Sequence, residues 1–311
     1  MKAIVIEQYG GKDQLKEMDV PIPEINDHQV LVEMKATSIN PIDWKLREGY
    51  LKQMLPFEFP IILGWDAAGV IKKVGKNVKG FQVGDAIFSR PATTRYGTYA
   101  ELTAIDEDLL AKKPENISYE EAASIPLAGL TAWQALFDFA QLQKGEKVLI
   151  HAGAGGVGSL AIQLAKQKGA YVATTASEKN HAFLKELGAD EVIDYKTANF
   201  EEVLHDYDVV FDTMGGEIQA KSYQVLKKGG RLVSIVNAPD QDQAAEYGVK
   251  ASHVWLEPNG KQLEQLASLL QEGKLKAIVG HVLPFSEQGL KEAHALSESH
   301  HAKGKIVITF E

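Results

Sequence analysis

Over the first 114 positions apolar residues come in short runs broken by Gly, Pro and Asp, at residues 2–7, 29–38, 69–74, 85–88 and 98–104. Short β-rich runs between turn residues predict a small barrel or sandwich. One helix interrupts them. Asn40-Pro41 starts it, with Asn able to cap and Pro tolerated at the first helical position, and residues 42–47 continue it to Gly49. Three glycines and an Asn in residues 74–85 predict a tight loop between strands. From Tyr119 the period changes. A helical stretch over 119–136 leads into strand-like runs at 147–152, 171–175, 191–194, 209–212 and 231–236. Helical patterns at 156–168, 179–187, 200–204 and 218–227 lie between these runs, with Gly188 and Gly229-Gly230 as stops. Apolar strands alternating with helices predict a doubly wound parallel sheet covered on both faces. The tail adds helices at 260–271 and 286–297 and a last strand at 305–310, placed to pair back into the first region.

Length and charge narrow the function classes. The 311 residues suit two domains. With 33 Lys+Arg against 42 Asp+Glu, the net charge of −9 argues against a phosphate-backbone partner, so no nucleic acid is expected. There is no cysteine, which excludes disulfides, thiolate nucleophiles and sulfur-ligated zinc. Residues 1–7 run directly into a strand without a signal-peptide pattern, and no apolar run approaches the roughly 18 residues that span a bilayer. A cytoplasmic protein without a membrane role is expected.

The strongest chemical signal is His151-Ala152-Gly153-Ala154-Gly155-Gly156-Val157-Gly158. Gly153, Gly155 and Gly158 have G-x-G-x-x-G spacing, which is weak alone. Here it follows an apolar strand and opens a helix, the context a dinucleotide fold requires. One glycine permits the turn, one lets backbone approach a pyrophosphate, and one lets helix pack on strand; the helix N-terminus then favours the phosphates. At the end of the next strand an NAD site needs an Asp or Glu for the ribose hydroxyls. This chain instead reads Ser177-Glu178-Lys179-Asn180. Hydroxyl, ammonium and amide suit the extra phosphate of NADPH, with Glu178 read as a solvated first-turn acid.

These residues, with Asn40-Pro41-Ile42-Asp43 and Arg47-Glu48-Gly49, residues 62–70, Val74-Gly75 through Asp85, residues 127–132, Leu187-Gly188-Ala189-Asp190 through Tyr195, and Gly304-Lys305-Ile306-Val307, resemble the zinc-independent quinone oxidoreductase and enone (alkenal) reductase branch of the medium-chain dehydrogenase/reductase superfamily. The resemblance implies an α/β chain in which a Rossmann NADPH-binding domain (123–256) is inserted into a GroES-like β-rich catalytic domain (1–122, completed by 257–311), with the active site in the cleft. It implies hydride transfer from NADPH to small-molecule quinones or α,β-unsaturated carbonyls, and a homodimer. Asn40 and Thr131 are expected on the nicotinamide half of the cofactor. Tyr195 is expected near the adenosine phosphate, and Val236 at the end of the fifth strand joins the cofactor set.

Departures from the zinc-using members matter. Trp65 stands where their zinc-binding His follows the glycine, so no metal is expected. Charge developing on a carbonyl oxygen then needs hydrogen-bond donors. Lys45 is the leading candidate, placed by the resemblance in the Asp-x-Lys setting of plant-type enone reductases, where an ammonium stabilises an enolate oxygen and later supplies a proton. A solvated surface lysine is the plain alternative. Asn40, Tyr50 and Tyr99 are further catalytic candidates, the tyrosines also explicable as packing with a hydrogen-bonded tip. Asp43 is read as a structural acceptor. His294, His300 and His301 are read as surface residues, because their spacing does not share a helix face. His151 is assigned to packing or cofactor contact. Three other readings stay open: a 2-enoyl thioester reductase, a non-catalytic NADPH-binding module, and a zinc-using NAD-dependent alcohol dehydrogenase.

Overall fold

The computed structural model describes residues 1–310 and resolves the chain into two compact units, Met1–Leu127 with Pro258–Glu311, and Ala128–Glu257. In the first unit, the strand Gln29–Ser38 alternates partly exposed and buried residues as its sequence predicts, then buries its last three residues. It centres a seven-stranded sheet. Ala67–Val74, Leu102–Asp106 and Lys305–Thr309 all pair with it antiparallel, so the closing strand does return to the first region. A second sheet holds Lys16–Asp19, Lys2–Ile6 and Ile61–Ile62. Behind it Ile4, Ile6, Leu46, Trp65, Tyr99, Leu290, Ile306 and Ile308 form one buried cluster. Each large apolar side chain there contributes roughly 1.5–3 kcal/mol.

The helix Pro41–Arg47 begins where expected, with a different cap. The Asn40 side chain turns away to other partners, and the carboxylate of Asp43 accepts from the Asn40 backbone N–H at 2.8 Å. The helical run expected over 119–136 is broken. Tyr119–Ala123 ends before Pro126, a new helix spans Pro126–Trp133, and Gln134–Phe139 continues as a wider π-type turn.

The second unit is a six-stranded sheet, parallel throughout: Glu191–Asp194, Tyr171–Ala176, Lys147–Ile150, Tyr207–Asp212, Leu226–Ser234, Lys250–His253. Numbered in chain order within the unit, its spatial order is 3-2-1-4-5-6, the dinucleotide-binding arrangement. The pattern read as helix over 218–227 gives way earlier. The helix covers Gly216–Ser222, and Leu226 already belongs to the fifth strand.

Candidate active site

The glycine loop leaves the first strand at Ile150 and enters the helix Gly156–Gln167. Its fit to a dinucleotide can be tested at each glycine. A Cβ on Gly153 would lie 2.1 Å from Thr174 Oγ1, and one on Gly158 would lie 2.4 Å from Ala152 O. Those two glycines serve close packing. A Cβ on Gly155 would meet only Ala152 O, at 3.4 Å, so its backbone is open to an incoming phosphate. The left-handed position in the loop belongs to Ala152, at φ 51°, rather than to a glycine.

Apart from Asn40 and Thr131, the cofactor candidates follow the C-terminal ends of this sheet's strands. Ala176 and Asp194 are register partners on adjacent parallel strands, so Ser177 and Tyr195 follow side by side. Ala152 N–H donates to Thr175 Oγ1 and Gly153 N–H to Thr175 O, both at 3.2 Å, tying the loop to the strand that ends at Ser177. Glu178 and Lys179 are exposed, Asn180 is half-buried, and Tyr195 is exposed. Ala154, Gly156 and Val157 are partly exposed in the loop and first helical turn. Val236 is partly exposed beyond the fifth strand, and Thr131 is buried on its helix. His151 is buried between Thr175 Oγ1 (3.2 Å) and Ser222 Oγ (2.9 Å), which makes it a packing residue.

In the first unit, Asp66 gathers a buried cluster. Its Oδ2 accepts from Ser38 Oγ, from Asn40 Nδ2 at 2.6 Å and from Lys305 Nζ at 3.5 Å, and its Oδ1 accepts from Leu127 N–H at 2.7 Å. Lys305 is buried and also donates to Ile39 O at 2.9 Å and to Asn40 Oδ1, and burial lowers its pKa. Asn40, a catalytic and cofactor candidate, is 2% exposed and spans Asp66 and Lys305. It acts as a strut. Tyr99 also departs from its expected catalytic role. Its ring is 0% exposed and its O–H donates to Asp43 Oδ2 at 2.8 Å, so its hydroxyl is committed inside the fold, as the packing alternative has it. Gly64, at φ 88°, leaves room for that ring, since a Cβ there would lie 2.4 Å from it.

Lys45 stands apart from this network. It is partly buried on the Pro41–Arg47 helix, its ammonium 5.7 Å from the Trp44 ring centroid and in no hydrogen bond or ion pair among the described residues. Burial lowers its pKa. Tyr50 meets the edge of the same Trp44 ring at 6.3 Å and is 73% exposed, on the surface rather than in a pocket. A cavity of about 600 Å³ in this unit, walled by residues such as Val5, Ile62, Tyr96 and Leu102, includes none of Asn40, Lys45, Tyr50 or Tyr99. That cavity gives no support to these four residues; Lys45 stays a candidate on its partly buried ammonium, which makes no hydrogen bond or ion pair among the described residues.

His294 is misplaced by its sequence reading. It is fully buried, its ring nitrogens within reach of Arg47 and Tyr99, whereas His300 and His301 are exposed. Helix spacing excluded a shared face and said nothing of partners on other elements. Burial, with the Arg47 charge beside it, holds His294 down at about 3, and burial also lowers His151. Asp43 moves the other way. Burial pushes it up to about 7 against the donors Asn40 N–H and Tyr99. Between pH 6 and 5 the unfolded chain gains protons on both histidines, while the folded chain holds one on Asp43. Stability is thus expected to fall by about 1 kcal/mol per pH unit on acidification there. Urea unfolding at pH 6 and 5 measures this, and His294→Gln is expected to flatten the slope.

Zinc does not fit these residues. Cysteine is absent, Trp65 is buried with Nε1 donating to Thr94 O at 3.3 Å, and Asp66 is occupied by four donors. Among the described residues no three His, Cys, Asp or Glu side chains converge.

Comparison with known proteins gives matches to the alcohol dehydrogenase GroES-like domain over residues 26–115 and to the zinc-binding dehydrogenase family over residues 187–308. An NADPH-dependent alkenal/one oxidoreductase of Arabidopsis thaliana is 38% identical over 99% of this chain and 79% of its own length. A 2-methylene-furan-3-one reductase of Solanum lycopersicum is 38% identical with the same coverage. The solved quinone oxidoreductase from Coxiella burnetii superposes with a TM-score of 0.94, at 38% identity, over 100% of this chain and 99% of that one.

Proposed function

The chain belongs to the quinone/enone oxidoreductase branch of the medium-chain dehydrogenase/reductase superfamily, and we propose that it reduces activated alkenes and quinones with NADPH, Lys45 holding the acceptor oxygen. The relatives support an oxidoreductase that uses a nicotinamide cofactor and a small-molecule acceptor. The observation that carries the role of Lys45 is its partly buried ammonium, free of any acid partner and with its proton affinity lowered.

When bound, the cofactor supplies a hydride to the β-carbon of an enone or to a quinone ring. The α,β electron pair then shifts towards the carbonyl, and charge develops on its oxygen. Lys45 donates a hydrogen bond to that oxygen, and its lowered pKa makes the proton easier to release. For an enone the added proton ends on the α-carbon; for a quinone one oxygen takes a proton and the ring carbon that received the hydride then loses one as the second oxygen gains one, giving the hydroquinone. Asn40 and Asp43 hold the start of the Lys45 helix. Gly155 leaves room for the pyrophosphate beside the helix N-terminus at Gly156, while Ser177, Lys179 and Asn180 offer donors to an additional phosphate.

Those donors support NADPH over NADH. Each charge-assisted bond contributes about 1.5–3 kcal/mol, so a preference above about tenfold is expected. Initial rates of cofactor oxidation by metal-stripped protein with a short-chain enone and with a small quinone test both parts. Saturable turnover with NADPH preferred is expected. Equal rates with NADH would overturn the cofactor assignment, and turnover that requires zinc would overturn the metal-free route.

A further inference from the structure

The buried groups around the Lys45 helix form a hydrogen-bonded chain that leaves the helix and returns to it. Arg47 Nη1 lies 3.0 Å from His294 Nδ1, His294 Nε2 lies 3.1 Å from Tyr99 Oη, and Tyr99 Oη lies 2.8 Å from Asp43 Oδ2. Arg47, His294, Tyr99 and Asp43 are all 0% exposed. A guanidinium can only donate, so Nδ1 of His294 accepts and the ring proton of the neutral histidine is on Nε2. Nε2–H then donates to Tyr99 Oη, leaving the phenol hydrogen for Asp43. One residue, Arg47, thus sets the direction of every bond in the chain.

Arg47 is itself fixed. Its Nε donates to Gly10 O at 3.0 Å, and its Nη2 pairs with Glu48 and, at 2.8 Å, with Glu298. Glu298 is one turn beyond His294 on the C-terminal helix Glu287–Glu298, so that helix grips Arg47 twice. Asp43 and Arg47 are also one turn apart on the Pro41–Arg47 helix, and Lys45 lies between them.

We propose that His294 is a positioning residue for the reduction: by joining Arg47 to Tyr99 and hence to Asp43, it holds both ends of the turn that carries Lys45. The proposal rests on the reading of Lys45 as the group that holds the acceptor oxygen. The charged and titratable groups facing Asp43 are Tyr99, Lys305, Asp66 and Arg90, and those facing His294 are Arg47 and Tyr99. Of the chain's members Asp43, pushed up by burial to about 7, titrates in the neutral range, so the pH profile of activity reports on its end of the chain.

His294→Leu removes both hydrogen bonds. His294→Gln retains an acceptor for Arg47 and a donor for Tyr99 in one side chain. With NADPH and a short-chain enone, His294→Leu is expected to lower kcat by about 10- to 100-fold, as for a misplaced catalytic group. The KM for NADPH is expected to stay within about twofold, since the cofactor grip is elsewhere. The pH profile of kcat is expected to shift, and His294→Gln to restore both rate and profile. If both variants lose only thermal stability and keep the wild-type kcat and pH profile, the proposal is overturned. A second readout does not depend on turnover: the rate at which acetic anhydride labels Lys45, followed by mass spectrometry. A labelling rate changed by His294→Leu and restored by His294→Gln supports positioning even in a chain that reduces no enone, an outcome that would sink the reading of Lys45 alone. Unchanged labelling in both variants overturns the positioning role.

Discussion

Lys45→Met is expected to lower kcat for enone reduction by about 10²- to 10³-fold, the loss found when one donor to a developing oxyanion is removed. That corresponds to about 2.7–4 kcal/mol of transition-state stabilisation. Methionine keeps the length and apolar stem of lysine, so packing against Trp44 changes little. Because the ammonium has no hydrogen-bond or ion-pair partner among the described residues and touches only the face of the Trp44 ring, the substitution orphans no polar group. Thermal stability should therefore stay near wild type while the rate collapses. Cofactor affinity should also hold, separating an effect on the reacting oxygen from one on binding. Lys45→Arg keeps the charge but spreads it over a planar fork and is expected to recover only part of the rate. Wild-type kcat in Lys45→Met would return Lys45 to its plain reading as a solvated helix residue. The enone and quinone arms should also differ. A quinone spreads added charge over two oxygens and a ring, so it should depend less on Lys45.

The parts of this fold that were legible are those in which one local pattern decides the outcome. Gln29–Ser38 alternates because one face is buried, and the glycine loop is bounded by a strand and a helix whose sequences agree with it. Polar edge strands were not legible. Lys16–Asp19 and Lys250–His253 have no fully buried residue, and their place comes from pairing with Lys2–Ile6 and Leu226–Ser234. The glycine loop could be read because the strand and the helix that frame it are its neighbours in sequence; Lys45 comes from the family resemblance, and its role stands as a proposal. His294 and Lys305 could not be read, because what each does is set by residues 195 to 266 positions away, and Tyr99 could be read only as one of two alternatives, its partner Asp43 lying 56 positions away. A histidine at the surface and one locked between an arginine and a tyrosine have the same sequence signature.

Asp66→Ala is expected to destabilise the first unit by about 3–5 kcal/mol, because it leaves the buried Lys305 ammonium without its carboxylate. Ser38, Asn40 and the Leu127 N–H lose their acceptor as well. Lys305→Met should be milder. It removes one donor from Asp66, and the carboxylate keeps the other three. In Asp66→Ala the surviving cation retains only Ile39 O and Asn40 Oδ1. The order of the single variants thus follows from which charge is left behind. The double variant Asp66→Ala/Lys305→Met strands neither charge, so it should fall short of the sum of the singles by about 1–3 kcal/mol. Urea unfolding of all four proteins at pH 7 measures that coupling. Equal effects in the two singles, adding without coupling, would show that Lys305 is held by the backbone carbonyl and Asn40 alone. A coupling of the expected size would show that Asp66 and Lys305 fasten the closing strand Lys305–Thr309 to the segment that leads into the Lys45 helix. It would also explain why the chain keeps two opposite charges buried there: they hold Asn40, and Asn40 starts the helix that carries Lys45.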